Sequence, residues 1–145
     1  MQFSIRALSS EKAKTGCLVL AFFPGGNLAR SAQAADKAAA GALRRVLAQG
    51  DLAGKAGSTL VLHSVPGVAA ERVLLVSLGE RKEFGVPHFR EAVRGVATAL
   101  KGLGARDAVF PVADFAVAGR SLPWAVRHAI LGVRESFYRF DQLKT

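Results

Sequence analysis

Apolar residues in this chain follow two patterns: short runs bounded by glycine or proline, and longer stretches with a helical repeat. The short runs predict strands. In Gln2–Leu8, Phe3, Ile5 and Ala7 alternate with Ser4 and Arg6, as in a half-buried strand. Cys17–Phe23 is apolar throughout and ends on Pro24-Gly25-Gly26, as in a fully buried strand. Ser58–His63 and Arg72–Leu78 are two further strands around a Pro66-Gly67 turn, and Ala108–Val112 is a short fifth. The helical repeat predicts a helix over Gln33–Gln49, with Ala39, Leu43, Val46 and Leu47 on one face and Gly50 as its stop. A second helix covers Pro87–Lys101, with Phe89, Val93, Val96, Ala97 and Leu100 as its buried stripe. Ser121 caps a last helix whose Val126, Ile130, Val133 and Phe137 face inward.

The order of these elements predicts an α/β fold, a mixed sheet of five or six strands flanked by helices. Adjacency of the third and fourth strands favours a hairpin, so the sheet is not purely parallel. Residues 1–137 read as one domain. The segment YRFDQLKT at 138–145 is polar and aperiodic, and reads as a lead-out towards a further domain.

Composition narrows the class. The chain has 145 residues, 50% hydrophobic and 21% charged, enough to build a core and too apolar for a disordered segment. Its longest apolar run, Cys17–Pro24, is far shorter than the roughly 20 residues that span a bilayer. The start, MQFSIRALSSEKAK, lacks the basic and apolar regions of a secretory signal. A lone cysteine, Cys17, begins an apolar run and reads as a buried, reduced thiol. These features point to a cytoplasmic protein with no membrane partner. The formal net charge of +9 favours polyanions, but its basic residues are spread along the chain, as on a solvated surface.

Candidate chemistry is sparse. Gly50-Asp51-Leu52-Ala53-Gly54-Lys55 suggests a P-loop but departs from it three times. The glycines are too close, Ala56 stands where the magnesium-binding hydroxyl belongs, and the segment leads from helix to strand. A structural turn accounts for it. Gly25 and Gly26 follow a buried strand and precede a helix, a context that suits an anion as well as a plain turn, without the G-x-G-x-x-G spacing. His63, His88 and His128 are dispersed, the carboxylates form no tight cluster, and no serine sits in G-x-S-x-G. Arg120, Arg127 and Arg134 recur every seven residues and share one side of the last helix, drifting about 20° per heptad. They form either a basic contact strip for DNA or an acidic partner, or a solvated helix face. Trp124 reads equally as a contact anchor or as core.

From Cys17 to Lys144 the order of features resembles the N-terminal domain of the leucyl aminopeptidases. An apolar strand and an Ala-rich helix precede a G-D-[FL]-x-G-K-x-G turn, here Gly50 to Gly57. An R-V-L-L-V-G-L-G strand follows, here Arg72 to Gly79 with Ser77 in place of a glycine. A helix matches Pro87–Lys101, and a closing Y-x-F-x-x-x-K matches Tyr138, Phe140 and Lys144. The resemblance implies a macro-like α/β domain and a cytosolic parent enzyme that releases N-terminal residues, leucine preferred, with two divalent ions (manganese, zinc or magnesium). It also implies a homo-hexamer in which this domain helps subunits associate, with peptides reaching a C-terminal catalytic domain. The family's metal ligands and catalytic Lys and Arg fall beyond Thr145, so no residue here inherits a catalytic, cofactor or metal role, and the chain alone is expected to be inactive. The alternative is a free-standing anion-binding module, for DNA through Arg120, Arg127 and Arg134 or for an ADP-ribose-like nucleotide through Gly25 and Gly26.

Overall fold

In the computed structural model, residues 10–50 and 54–144 are described. The strand expected at Gln2–Leu8 lies outside them. β1 (Leu18–Phe23) is buried at all six positions, as its unbroken apolar run requires. It pairs in parallel with β4 (Arg72–Ser77), Leu18 opposite Val73 and Phe22 opposite Ser77. β3 (Thr59–His63) pairs antiparallel with β4, giving the expected hairpin. A two-residue strand, β2 (Asn27–Leu28), folds back antiparallel on β1. The sheet order is β2-β1-β4-β3, four strands among the described residues rather than five or six. The strand expected at Ala108–Val112 reduces to one bridge. Val109 donates to Cys17 O (2.9 Å) and accepts from Val19 N (2.8 Å), and pairing stops there. Pro111 has no N–H to extend a ladder, and a 3₁₀ turn begins at Val112.

The central strands bury both faces, and the pleat divides their side chains between two cores. Val19, Ala21 and Phe23 join Leu74 and Val76 under α3 (Val86–Gly102) and α4 (Leu122–Lys144). Leu18, Leu20 and Phe22 join Val73 and Leu75 under two shorter helices, α1 (Arg30–Ala38) and α2 (Ala42–Ala48). This is a three-layer α/β/α arrangement around a mixed sheet.

The single helix expected over Gln33–Gln49 is these two helices. Ala40 and Gly41 both take positive φ, +54° and +83°, which ends α1. Asp36, 5% exposed, then restarts the chain. Its Oδ1 accepts from Leu43 N (2.8 Å) and Arg44 N (3.2 Å), and its Oδ2 pairs with Arg44 Nε (3.2 Å). An acidic side chain late in one helix thus caps the first turn of the next.

α3 buries Phe89, Val93, Val96 and Ala97, as expected. α4 starts where Ser121 predicts, with Trp124 N donating to Ser121 Oγ (3.2 Å). Its buried stripe is rotated from the expected one. Ala125, Ala129 and Val133 are buried, whereas Val126 and Ile130 are only partly covered. The cause is Gly132, which lets Val93 of α3 come so close that a β-carbon would sit 2.7 Å from Val93 Cγ1. Small residues therefore face the neighbouring helix. The α4 backbone stays helical to Lys144, so 138–144, read as a lead-out, is helix.

Candidate functional site

The proposed contact strip lies along α4 and its entry. Arg120, Arg127 and Arg134 are all exposed, with Leu131, 47% exposed, between the last two. Arg120 stands before α4, its guanidinium 5.2 Å from the Trp124 ring centroid. Trp124 is half-buried and clasped on several sides. Its ring stacks on His128 at 4.3 Å and meets Phe89 at 5.2 Å. His128 Nδ1 donates to the Trp124 carbonyl oxygen (2.9 Å), so this ring nitrogen carries the hydrogen. Trp124 thus helps bind α3 to α4 while keeping one edge at the surface.

The two glycine-rich segments are turns. Gly25 and Gly26, at φ +95° and +83°, connect β1 to β2 rather than a strand directly to a helix. Beside them the carboxyl end of β1 is covered by protein. The Arg81 guanidinium lies 4.2 Å from the Phe23 ring centroid, and Phe84 meets the same ring edge-on at 6.0 Å. In open α/β sheets this end commonly holds ligands; here Arg81 and Phe84 pack on Phe23 beside it. The second turn, Gly54 to Ser58, is tied to β4. Gly57 N donates to Ser77 O (2.9 Å), and Ser77 Oγ donates to Gly54 O (3.0 Å). Ser77, standing where the resemblance expects glycine, also accepts from Gly79 N (3.1 Å).

His63, His88 and His128 sit on β3, α3 and α4 respectively. Among the described residues no group of three or more His, Cys, Asp or Glu is placed to hold a metal ion. Nor is any helix among them long and apolar enough to cross a membrane.

The family model for the cytosol aminopeptidase family, N-terminal domain, matches residues 19–145. This chain belongs to that family. A probable cytosol aminopeptidase of Nitrosospira multiformis is 44% identical over 145 residues, all of this chain but 28% of that protein. One from Aromatoleum aromaticum is 41% identical over 145 residues, again all of this chain and 29% of the relative. The chain thus spans less than a third of the length of the curated relatives it matches, as their N-terminal domain. Among solved structures, the macrodomain of Thermus aquaticus DarG superposes with a TM-score of 0.61 at 14% identity. That match covers 86% of this chain and 82% of the macrodomain, and it supports the macro-like fold.

Within this cytosol aminopeptidase domain, Cys17 is fully buried. Burial pushes its thiol up from 9.0 to about 11, against a smaller lowering by the Arg72 guanidinium. A raised folded-state value means that the native chain holds this proton more tightly than the unfolded one. The resulting stability is fully present below pH 9 and is lost as pH rises through about 11, a change of about 3 kcal/mol. Urea unfolding of the wild type and Cys17→Ala across this range checks it. The wild type should lose stability relative to the variant above pH 9, and parallel curves would refute the assignment.

One feature of the domain was missed in the sequence. A groove of about 380 Å³ runs between the Lys55–Thr59 segment and the outer face of α3. Its residues come from two distant segments. The available signal was Glu91, Arg94 and Thr98, spaced to share a helix face around Gly95.

Proposed function

We propose that this chain is the non-catalytic N-terminal domain of a cytoplasmic leucyl aminopeptidase, a di-metal exopeptidase that removes N-terminal residues, leucine preferred. In this reading two divalent ions, manganese, zinc or magnesium, are held by the following catalytic domain. The present domain supports association of subunits into a hexamer. The observation that carries the reading is coverage: relatives named cytosol aminopeptidase align along this whole chain, yet 72% of the Nitrosospira protein lies outside the match (100% − 28%). Two packed cores fit a domain that acts through its surface. Arg120, Arg127 and Arg134 would serve as a contact strip on that surface.

The purified chain, assayed on leucine p-nitroanilide with Mn²⁺, Zn²⁺ or Mg²⁺, is expected to give no turnover above buffer. The longer protein that carries it is expected to release leucine and to lose this activity with EDTA. Metal-dependent hydrolysis by the chain alone, abolished by chelation, would overturn the non-catalytic reading.

A further inference from the structure

The groove between the Gly54–Ser58 turn and α3 is built in an unusual way. Its floor is backbone from both sides. A β-carbon on Gly95 would overlap the Gly57 carbonyl oxygen, and one on Gly57 would lie 2.6 Å from Glu91 O. Among the described residues, the groove above this crossing is open. The turn is pinned, with Gly57 N donating to Ser77 O (2.9 Å) and Ser58 N donating to Lys55 O (3.1 Å). The floor of the groove is therefore fixed backbone.

The walls are polar. Lys55, Ser58 and Thr59 line one side, Arg94 and Thr98 the other. They supply two cations and three hydroxyls against one carboxylate, Glu91. Glu91 Oε1 lies 3.3 Å from Arg94 Nη1, but both side chains are largely exposed, 48% and 64%. An exposed pair of this kind contributes little and is easily rearranged. It also uses one N–H of the five on the guanidinium. Two cations and one carboxylate leave one positive charge and an excess of donors.

We propose that this groove binds a small phosphoryl-bearing anion, with Arg94 and Lys55 as its charge partners and Ser58, Thr59 and Thr98 as hydroxyl donors. Donor-rich walls with paired cations suit phosphoryl oxygens. About 380 Å³ lies near the lower limit of small-molecule pockets and suits a phosphate or a small phosphate ester. The site owes nothing to P-loop geometry, because its second wall is the side of α3 and not a helix N-terminus.

The test is a ¹H–¹⁵N NMR titration of this chain with inorganic phosphate and with glycerol 3-phosphate, at constant ionic strength. Saturable shifts centred on the Ser58, Thr59 and Thr98 amides are expected. Arg94→Gln should weaken binding at least about fivefold, in line with loss of a charge-assisted hydrogen bond. Lys37→Gln, exposed on α1, should leave it unchanged. Tighter binding of glycerol 3-phosphate would identify an ester as the source of the anion, and equal binding free phosphate. Unsaturating drift spread over the basic surface, or equal affinity in Arg94→Gln, would overturn the proposal.

Discussion

Gly95→Ala is expected to destabilise this domain by about 3 kcal/mol or more, although alanine is the better helix former. The added β-carbon would overlap the Gly57 carbonyl oxygen and lie 2.9 Å from its carbonyl carbon and 3.0 Å from its Cα. All three atoms are backbone, so no side-chain rotation relieves the contact. Either α3 lifts from the sheet, or the turn breaks its hydrogen bond from Gly57 N to Ser77 O. Gly57 has no freedom to retreat, because it already holds a φ of +91° against Glu91 O. The gain in helix propensity, about 1 kcal/mol, is too small to compensate. Gly102→Ala is the control. It ends the same helix with no neighbour within 4 Å of its added carbon, and should be neutral or slightly stabilising. Urea midpoints of the two variants decide the matter: equal stability of Gly95→Ala and wild type would show that the crossing is not tight.

How much of this was legible in the sequence depends on what carries each contact. β1 and β4 were plain, because strands buried on both faces need an unbroken apolar run, and Leu18–Phe23 and Val73–Val76 supply it. α3 was plain because Phe89, Val93 and Val96 supply a bulky periodic stripe. The break between α1 and α2 was hidden, because Ala39 and Leu43 continue one apolar face across it. What breaks the helix is Gly41 together with the Asp36 carboxylate, and a single aspartate in an alanine-rich stretch does not announce a cap. The α4 stripe was misplaced for a related reason. Periodicity favours the bulky Val126 and Ile130, whereas close helix approach favours Ala125, Ala129 and Gly132. The proposed groove was illegible for a third reason, since its floor is two glycines from distant segments whose pairing no local pattern reveals. The seven-residue spacing of Arg120, Arg127 and Arg134 was legible, but the packing of Arg120 on Trp124 needed three dimensions.

Phe89→Ala should cost about 3–5 kcal/mol and change the emission of the chain's only tryptophan. Phe89 is 1% exposed in the core shared by the sheet, α3 and α4. Removing its ring leaves a cavity beneath the first turns of both helices, which are anchored elsewhere and close over it only in part. A second loss adds to the first. The Phe89 ring packs against Trp124 at 5.2 Å with a 50° tilt, and such aromatic pairs contribute about 0.5–1.5 kcal/mol beyond area burial. Trp124 would keep His128 stacked at 4.3 Å but lose its inner support, so water should reach the indole and its emission should move to longer wavelength. Phe89→Leu keeps most of the volume and should cost under about 1.5 kcal/mol with a smaller spectral change, which keeps the comparison usable if the alanine variant does not accumulate. Both variants are read by urea unfolding followed through Trp124 fluorescence. A cost below about 1 kcal/mol for alanine, or unchanged native emission, would mean that Phe89 does not link the two helices, and that the Trp124 cluster owes its order to α4 and Arg120 alone.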